Sequence, residues 1–127
     1  MALELYMVGL VVKDMPRALE FYRKLGLAIP EGSENQPHVE IKMSNGLTFF
    51  LNNKRAYSTY DPDHQEAAGG YRILLEFYLK QRDEVDAKYA ELTNFGYQSY
   101  RAPFETPFGM YFAMNNDPDG NTILLSA

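Results

Sequence analysis

The side chains best suited to acid–base or metal chemistry in this chain are two histidines, His38 and His64. Imidazole is the commonest protein metal ligand and changes charge near neutral pH. His38 lies on a predicted strand with no obvious acid opposite it, and His64 is far from it in the sequence. We therefore interpret both as surface or pocket side chains. The absence of cysteine excludes disulfides, thiolate metal sites and a cysteine nucleophile.

Two acidic clusters could suggest a cation site, but both fit turns better. Asp61, Asp63 and His64 lie close together with Pro62 between the acids, which describes a solvated turn. The sequence DPDGN after Asn116 looks like the start of a calcium loop, but its glycine comes two positions too early. We predict a hairpin turn there. The chain also lacks a nucleophile elbow and a glycine-rich phosphate loop.

Arg72 and Glu76 are predicted to lie on one face of a strand, with Leu74 on the same face between them, because side chains alternate along a strand. Two interpretations stay open. The two charges could neutralise each other, or they could recognise a ligand, since a partly buried guanidinium must find an acceptor.

The elements that would position these side chains begin with a strand and a helix. Leu5 to Val12 is a short apolar run that suits a strand. Asp14 is a good N-cap, and Gly26 can end the helix in a left-handed conformation. Between them, apolar residues at helical spacing form one stripe: Met15, Ala18, Leu19, Tyr22 and Leu25.

The second half repeats this pattern at an offset of about 70 residues. Tyr71 to Leu79 is predicted as a strand, and Asp83 to Phe95 as a helix that ends at Gly96. The apolar stripe is matched position by position: Met15 by Val85, Leu19 by Tyr89, Tyr22 by Leu92, Leu25 by Phe95 and Gly26 by Gly96.

Three further strands are predicted in each half. They are 27–29, 38–43 and 47–51 in the first half, and 97–101, 110–115 and 122–126 in the second. Each half thus reads βαβββ, which predicts an α+β fold whose two concave faces close into a cleft. We expect one domain over 1–127, with module one at about 3–52, module two at about 71–127 and a connecting loop at 53–70 that is a lid, a crossover or disordered.

Composition narrows the class of partner. A net charge of −5 with scattered basic residues disfavours nucleic acid. The first apolar run is too short to span a bilayer, and the lack of cysteine favours a reducing compartment. We therefore expect a cytoplasmic protein with no membrane partner. The chain has 10 tyrosines and 8 phenylalanines. In a small protein, aromatic side chains more often pack in the core than line a ligand pocket.

Three segments together resemble the vicinal oxygen chelate superfamily, which includes glyoxalase I, extradiol dioxygenases and bleomycin-resistance proteins. They are VGLVVKDMPRALEFYRKLGL, RDEVDAKYAELTNFGY and NNDPDGNTILLS, and the resemblance covers nearly the whole chain. It implies paired βαβββ modules that form a U-shaped, partly closed mixed sheet around a cleft, and a homodimer. It also implies four metal-ligand positions, which fall here on Met7, Phe50, Arg72 and Leu124.

None of these four side chains offers the oxygen or imidazole donor that a hard or borderline divalent ion needs. A register slip of four residues in module two would bring in Glu76, but one carboxylate does not make a site. We therefore expect no metal and no cofactor.

The leading hypothesis is a metal-free protein, similar to glyoxalases and bleomycin-resistance proteins, that binds a small planar or amphipathic organic molecule in an aromatic-lined cleft. Tyr57, Tyr60, Phe104 and Phe108 lie in segments that could fold over its mouth. The predicted ligand-binding residues are Met7, Phe50, Arg72, Leu74, Glu76, Tyr60, Phe108 and Leu124. Two alternatives remain: a metal-dependent lyase or dioxygenase with displaced ligands, and a non-catalytic interaction or regulatory module.

Overall fold

The structure, a computed structural model, describes residues 2, 4–66, 71 and 73–127. Arg72, a predicted ligand contact, lies outside the described residues. The chain divides into two compact units, Met1–Ala67 and Ala68–Ala127. Among the described residues, the helices are too short or too polar to cross a bilayer.

The described part of the first unit contains a three-stranded sheet and two helices. Its elements are β1 (Met7–Val11), α1 (Met15–Leu25), a 3-10 turn (Ser33–Asn35), β2 (His38–Lys42), β3 (Thr48–Asn52) and α2 (Lys54–Tyr57). The strand order is β1-β3-β2, with β1 parallel and β2 antiparallel to β3.

The predicted limits of α1 are confirmed. The Asp14 carboxylate accepts a hydrogen bond from the backbone N–H of Arg17 at 3.1 Å, which satisfies a free amide of the first turn. At the other end, Gly26 has a φ of 122°, a backbone conformation that residues other than glycine rarely adopt. The predicted apolar stripe is buried throughout, and Phe21 is buried as well.

One face of this sheet packs against α1. It carries alternate residues of all three strands, and the ring of Tyr22 lies 5.4 Å from that of Phe49. The strand residues on this face are Val8 and Leu10 of β1, Val39 and Ile41 of β2, and Phe49 and Leu51 of β3. Because side chains alternate, the remaining strand residues point to the opposite face, which we call the open face of the first sheet.

The predicted strand at 27–29 is wrong. The backbone N–H of Ile29 donates to the carbonyl of Leu27 at 3.0 Å, so it is already used within a tight turn and is not available for a ladder. The carbonyl of Pro30 accepts from the guanidinium of Arg23 and the hydroxyl of Ser33, which holds the turn against α1. Among the described residues, the first unit is therefore βαββ.

The described residues of the second unit form a βαβββ arrangement, as predicted. Its elements are β4 (Leu74–Tyr78), α3 (Arg82–Asn94), β5 (Ser99–Glu105), β6 (Tyr111–Asn116) and β7 (Thr122–Ser126). The strand order is β4-β7-β6-β5; β4 is parallel to β7, and the other pairs are antiparallel. The α+β class is thus confirmed, and the described residues form two sheets, of three and four strands.

Helix α3 repeats the limits of α1 but not its burial. Gly96 has a φ of 110°, like its counterpart Gly26. Only Val85 and Leu92 of α3 are buried, however, and Phe95 is 48% exposed where its counterpart Leu25 is 7% exposed. The sequence repeat therefore holds for the helix boundaries and fails for part of the packed stripe.

Candidate functional site

Three rows of facing residues make up the open face of the first sheet. In strand register, Lys42, Thr48 and Met7 form one row, and Glu40, Phe50 and Gly9 form the next. His38, Asn52 and Val11 form the third row. The face therefore brings a histidine, a glutamate and an amide next to an aromatic ring.

The ring of Phe50 lies directly over Gly9. A Cβ placed on Gly9 would be 2.1 Å from the Cζ atom of Phe50, so any side chain there would displace the ring. The His38 ring lies 5.1 Å from the Phe50 ring, with the two planes tilted by 37°. Glycine thus leaves the space that the distal end of the Phe50 ring occupies beside β1.

A chain of hydrogen bonds runs beside this ring. His38 Nε2 lies 2.9 Å from a carboxylate oxygen of Glu40, and Nδ1 lies 2.6 Å from Asn52 Oδ1. Asn52 Nδ2 donates to the hydroxyl oxygen of Tyr60 at 2.7 Å. Four polar side chains on or above one sheet face are therefore linked end to end.

Asn52 and not an acid lies opposite His38, as expected, but His38 has an acid partner on its own strand. Glu40 lies two positions further along the same strand, so its side chain points to the same face. The hydrogen bond with Glu40 raises the pKa of His38 above its usual range; burial opposes this rise, and the Asn52 bond adds to it. The i, i+2 spacing in the predicted strand was the sequence signal that could have revealed this pair.

Tyr60 reaches the face because the segment after β3 is ordered into a short helix. The Asn53 side chain accepts from the backbone N–H of Ala56 at 3.3 Å and so caps α2. The next turn brings the Tyr60 hydroxyl onto Asn52, although the residue is 65% exposed. The part of the predicted 53–70 loop that the structure describes is therefore a capped helix and a turn.

In the second sheet, one face carries the fully buried residues Ala113, Asn115, Ile123 and Leu125, and we call the other face the open face of the second sheet. One row contains Glu76, Leu124, Met114 and Arg101, and the next contains Tyr78, Ser126, Phe112 and Phe104. The Glu76 carboxylate accepts from the Ser126 hydroxyl at 2.8 Å. Leu124 and Met114 are buried, whereas Leu74 and Tyr78 are exposed. This face is mainly apolar, with one acid and one base at opposite edges.

Phe108 lies in the turn before β6 and is 71% exposed. Its ring is 5.9 Å from that of Phe112, which is also 6.1 Å from Phe104. The guanidinium of Arg101 lies 3.5 Å from the centre of the Phe104 ring. The prediction of a loop is wrong for Phe104, which lies in β5, whereas Phe108 lies in a turn; both rings contact that of Phe112.

The family metal positions do not fit a divalent ion. By strand register, Gly9 beside Phe50 corresponds to Glu76 beside Leu124, and Met7 corresponds to Leu74 instead of Arg72. Glu76 supplies the only carboxylate among these residues, and that group already accepts from Ser126. Among the residues that the structure describes, no three His, Cys, Asp or Glu side chains are close enough to bind one ion.

A shallow cavity of about 370 Å³ lies at the starts of α1 and α2, away from the predicted site residues. Its charged lining residues are Lys13, Asp14, Glu34 and Arg55. Lys13 pairs with Glu66, Glu34 pairs with Arg23, and Asp14 caps α1. These charges already have partners and favour neither sign of ligand.

Comparison with known proteins gives a family and a fold. Solved structures with the same fold include a hypothetical protein from S. aureus, at 20% identity over 100% of this chain and 95% of that chain, with a TM-score of 0.82. A glyoxalase/bleomycin resistance protein/dioxygenase family enzyme from Burkholderia phytofirmans PsJN is 20% identical over 95% of each chain, with a TM-score of 0.81.

Lactoylglutathione lyase from Agrobacterium tumefaciens is 21% identical over 97% of this chain and 92% of that chain, with a TM-score of 0.70. No curated protein matches the chain. The family model of the Glyoxalase/Bleomycin resistance protein/Dioxygenase superfamily matches residues 5–125, and the chain therefore belongs to that superfamily.

Proposed function

We propose that this protein binds a small planar organic molecule on the open face of the first sheet, without a divalent metal. The observation that carries the proposal is the ring of Phe50, which lies over Gly9 and beside the hydrogen-bonded chain of Glu40, His38, Asn52 and Tyr60. Binding sites for small molecules typically combine an apolar or aromatic surface with a few convergent polar groups.

The aromatic ring favours a planar ligand. An offset-stacked or edge-to-face contact with Phe50 adds to the free energy of burial, by about 0.5–1.5 kcal/mol for an aromatic pair. The polar groups would then fix the orientation of the ligand. Tyr60 and Glu40 are partly exposed and can contact a molecule that lies on the Phe50 ring.

The absence of metal in the proposal follows from the chemistry of the family positions. Thioether, phenyl and alkyl groups at Met7, Phe50 and Leu124 do not bind zinc, iron or manganese. A metal-dependent lyase or dioxygenase would need at least two more donors beside Glu76 than this sheet face offers among the described residues.

Other parts of the expected function stand as proposals beside this one. Leu74, Glu76, Phe108 and Leu124 lie on or next to the open face of the second sheet, and ligand contact by these residues is a separate proposal for the second unit by itself. A homodimer and a cytoplasmic location are proposed from the resemblance to the superfamily and from the lack of cysteine.

A thermal-shift screen tests the proposal. The protein is treated with EDTA and melted against a panel of aromatic acids, amides and heterocycles, because a ligand that binds only the folded state raises the melting temperature. We expect at least one planar compound to raise it, and Phe50→Ala to remove most of that shift.

The matched control is Phe95→Ala, which removes an exposed aromatic ring at the end of α3 and should leave the shift intact. A shift that survives in Phe50→Ala, or one that requires added zinc, would contradict the proposal.

A further inference from the structure

The hydrogen-bond chain that begins at Glu40 and ends at Tyr60 has a direction, and that direction depends on the protonation of His38. An ionised carboxylate is only an acceptor, so the ring nitrogen that faces Glu40, Nε2, must carry a proton. The other ring nitrogen, Nδ1, faces the side-chain amide of Asn52 at 2.6 Å. Whether Nδ1 carries a proton therefore decides whether Asn52 must turn its carbonyl oxygen or its NH₂ group toward the ring.

With His38 protonated, Nδ1 donates to Asn52 Oδ1, and Asn52 Nδ2 donates to the oxygen of Tyr60. The hydroxyl proton of Tyr60 then takes no part in this chain of hydrogen bonds and points away from Asn52. Tyr60 is 65% exposed, so this proton is available to a ligand.

With His38 neutral, the proton that remains must stay on Nε2, because a lone pair there would face the Glu40 carboxylate at 2.9 Å. Nδ1 becomes an acceptor and needs the NH₂ group of Asn52. A half-turn of the amide provides it, since the oxygen and nitrogen of an amide occupy nearly the same space. Asn52 Oδ1 then faces Tyr60. The Tyr60 hydroxyl must donate its proton to this oxygen, so that its lone pairs point away from Asn52, toward a ligand.

We propose that the charge of His38 sets the hydrogen-bonding polarity of Tyr60, so that a ligand carboxylate or carbonyl oxygen is bound at Tyr60 when His38 is protonated and rejected when it is neutral. The proposal rests on the proposed function for its ligand, but the reversal of Asn52 is a property of the protein alone. It names the ligand class: a planar molecule with an anionic or carbonyl oxygen at its edge.

The charged groups near His38 are consistent with this role. On β2, Glu40 and Lys42 share its face, and the β3 residues on that face, Thr48, Phe50 and Asn52, are neutral. The segment after α2 contributes Tyr60, followed by Asp61, whose carboxylate lies 3.6 Å from His64. Glu40 is thus the charged group in hydrogen-bond contact with His38, and its bond holds the pKa of His38 above the usual range.

NMR of the unliganded protein tests the reversal. Nitrogen shifts of the His38 ring should show both nitrogens protonated at low pH and only Nε2 protonated at high pH. The side-chain amide protons of Asn52 should give nuclear Overhauser effects to the Tyr60 ring below the pKa of His38 and to the His38 ring above it. An Asn52 amide that stays on Tyr60 throughout, or a high-pH tautomer with the proton on Nδ1, would overturn the proposal.

Benzoate tests the ligand class, because it is planar and stays ionised across this range. One charge-assisted hydrogen bond is worth roughly a tenfold change in affinity. Benzoate should therefore bind about tenfold more tightly below the pKa of His38 than above it, beyond any change that remains in Tyr60→Phe. That variant keeps the charge of His38 and so accounts for simple attraction between charges.

Tyr57→Phe removes a hydroxyl from the same segment, where the Tyr57 ring contacts His64, and should behave as the unmodified protein. Equal pH dependence of benzoate binding in the unmodified protein and Tyr60→Phe would overturn the proposal. If Asn52 reverses but benzoate binds at no pH, the ligand class and the proposed function for aromatic acids are both wrong, whereas binding without reversal rejects the switch alone.

Discussion

His38 and Glu40 show how two residues of one strand can create a polar site that neither would form alone. They are separated by a single residue, and strand geometry places them side by side on the open face of the first sheet. Phe50 from β3 completes the row, since it lies in register with Glu40. The chemistry of the face thus depends on strand parity and register together.

The first residue-scale prediction concerns Glu40→Gln. The hydrogen bond with Glu40 is the largest cause of the raised pKa of His38, so this substitution should lower that pKa toward about 6.5. An NMR pH titration of His38 Cε1–H measures the change. Glu31→Gln, which removes an exposed charge from the turn after α1, is the matched control and should have little effect.

The pair of His38 and Glu40 also determines the direction in which the free energy of unfolding changes with pH. A raised pKa in the folded state means that the folded protein binds more protons than the unfolded chain in this range. The stabilisation is fully present below about 6.5 and is lost as pH rises through the folded pKa. The stability advantage over Glu40→Gln should therefore shrink as pH rises, and it should be small throughout because both side chains are partly exposed. An advantage that grew with pH would contradict the assigned pair.

The second residue-scale prediction concerns Gly9 and Phe50. Gly9→Ala should destabilise the protein by about 1–2 kcal/mol, because the new Cβ overlaps the Phe50 ring and forces it to move. In a Phe50→Ala background the same change should be neutral or slightly stabilising, since alanine costs less entropy than glycine in a strand.

Urea denaturation of the single and double variants measures the coupling between the two positions. Additive effects would show that the Phe50 ring does not lie over Gly9, because residues in contact couple by about 0.5–3 kcal/mol.

At the scale of elements, the two helices show how far sequence reasoning could reach. Asp14, Gly26 and Gly96 carry local conformational signals, and the helix limits that they predict agree with the structure to within a residue. Burial of the stripe on α3 depends on what packs against it, which spacing cannot reveal. Phe95 follows the last residue of α3 and is exposed, although it matches the buried Leu25 in the sequence repeat.

The difference in burial between Leu92 and Phe95 predicts different losses of stability on truncation to alanine. Leu92 is fully buried, so Leu92→Ala should lower the free energy of unfolding by about 2–5 kcal/mol. Phe95→Ala should cost less than about 1 kcal/mol despite the larger side chain removed, because that ring is half exposed. Chemical denaturation of the two variants measures both values. Comparable losses would mean that Phe95 is packed as the repeat predicted.

Neither the turn at 27–29 nor the pair of His38 with Glu40 was predicted from the sequence. A three-residue apolar segment fits a strand or a tight turn equally well, and hydrogen bonds from Arg23 and Ser33 to Pro30 decide for the turn. Glu40 follows His38 at the i, i+2 spacing that places two side chains on one face of a strand, so this pair could have been predicted from the sequence. The link from Asn52 to Tyr60 depends on the capped helix α2, which no periodicity predicted.

At the scale of the molecule, the chain keeps the fold of its superfamily while the implied metal positions hold side chains that do not bind hard ions. Belonging to the superfamily is established by the match over residues 5–125. The resemblance implied four ligand positions, and the strand register replaces one of them, since Leu74 and not Arg72 is the counterpart of Met7. Neither residue offers an oxygen or imidazole donor.

NMR mapping of the best compound from the thermal-shift screen on EDTA-treated protein shows whether a planar ligand binds beside Phe50 without a metal. Signals of His38, Phe50 and Tyr60 should move on titration, and added zinc should change neither the affinity nor the residues affected. Signals that move only after zinc is added, or that move in the second unit alone, would contradict metal-free binding beside Phe50.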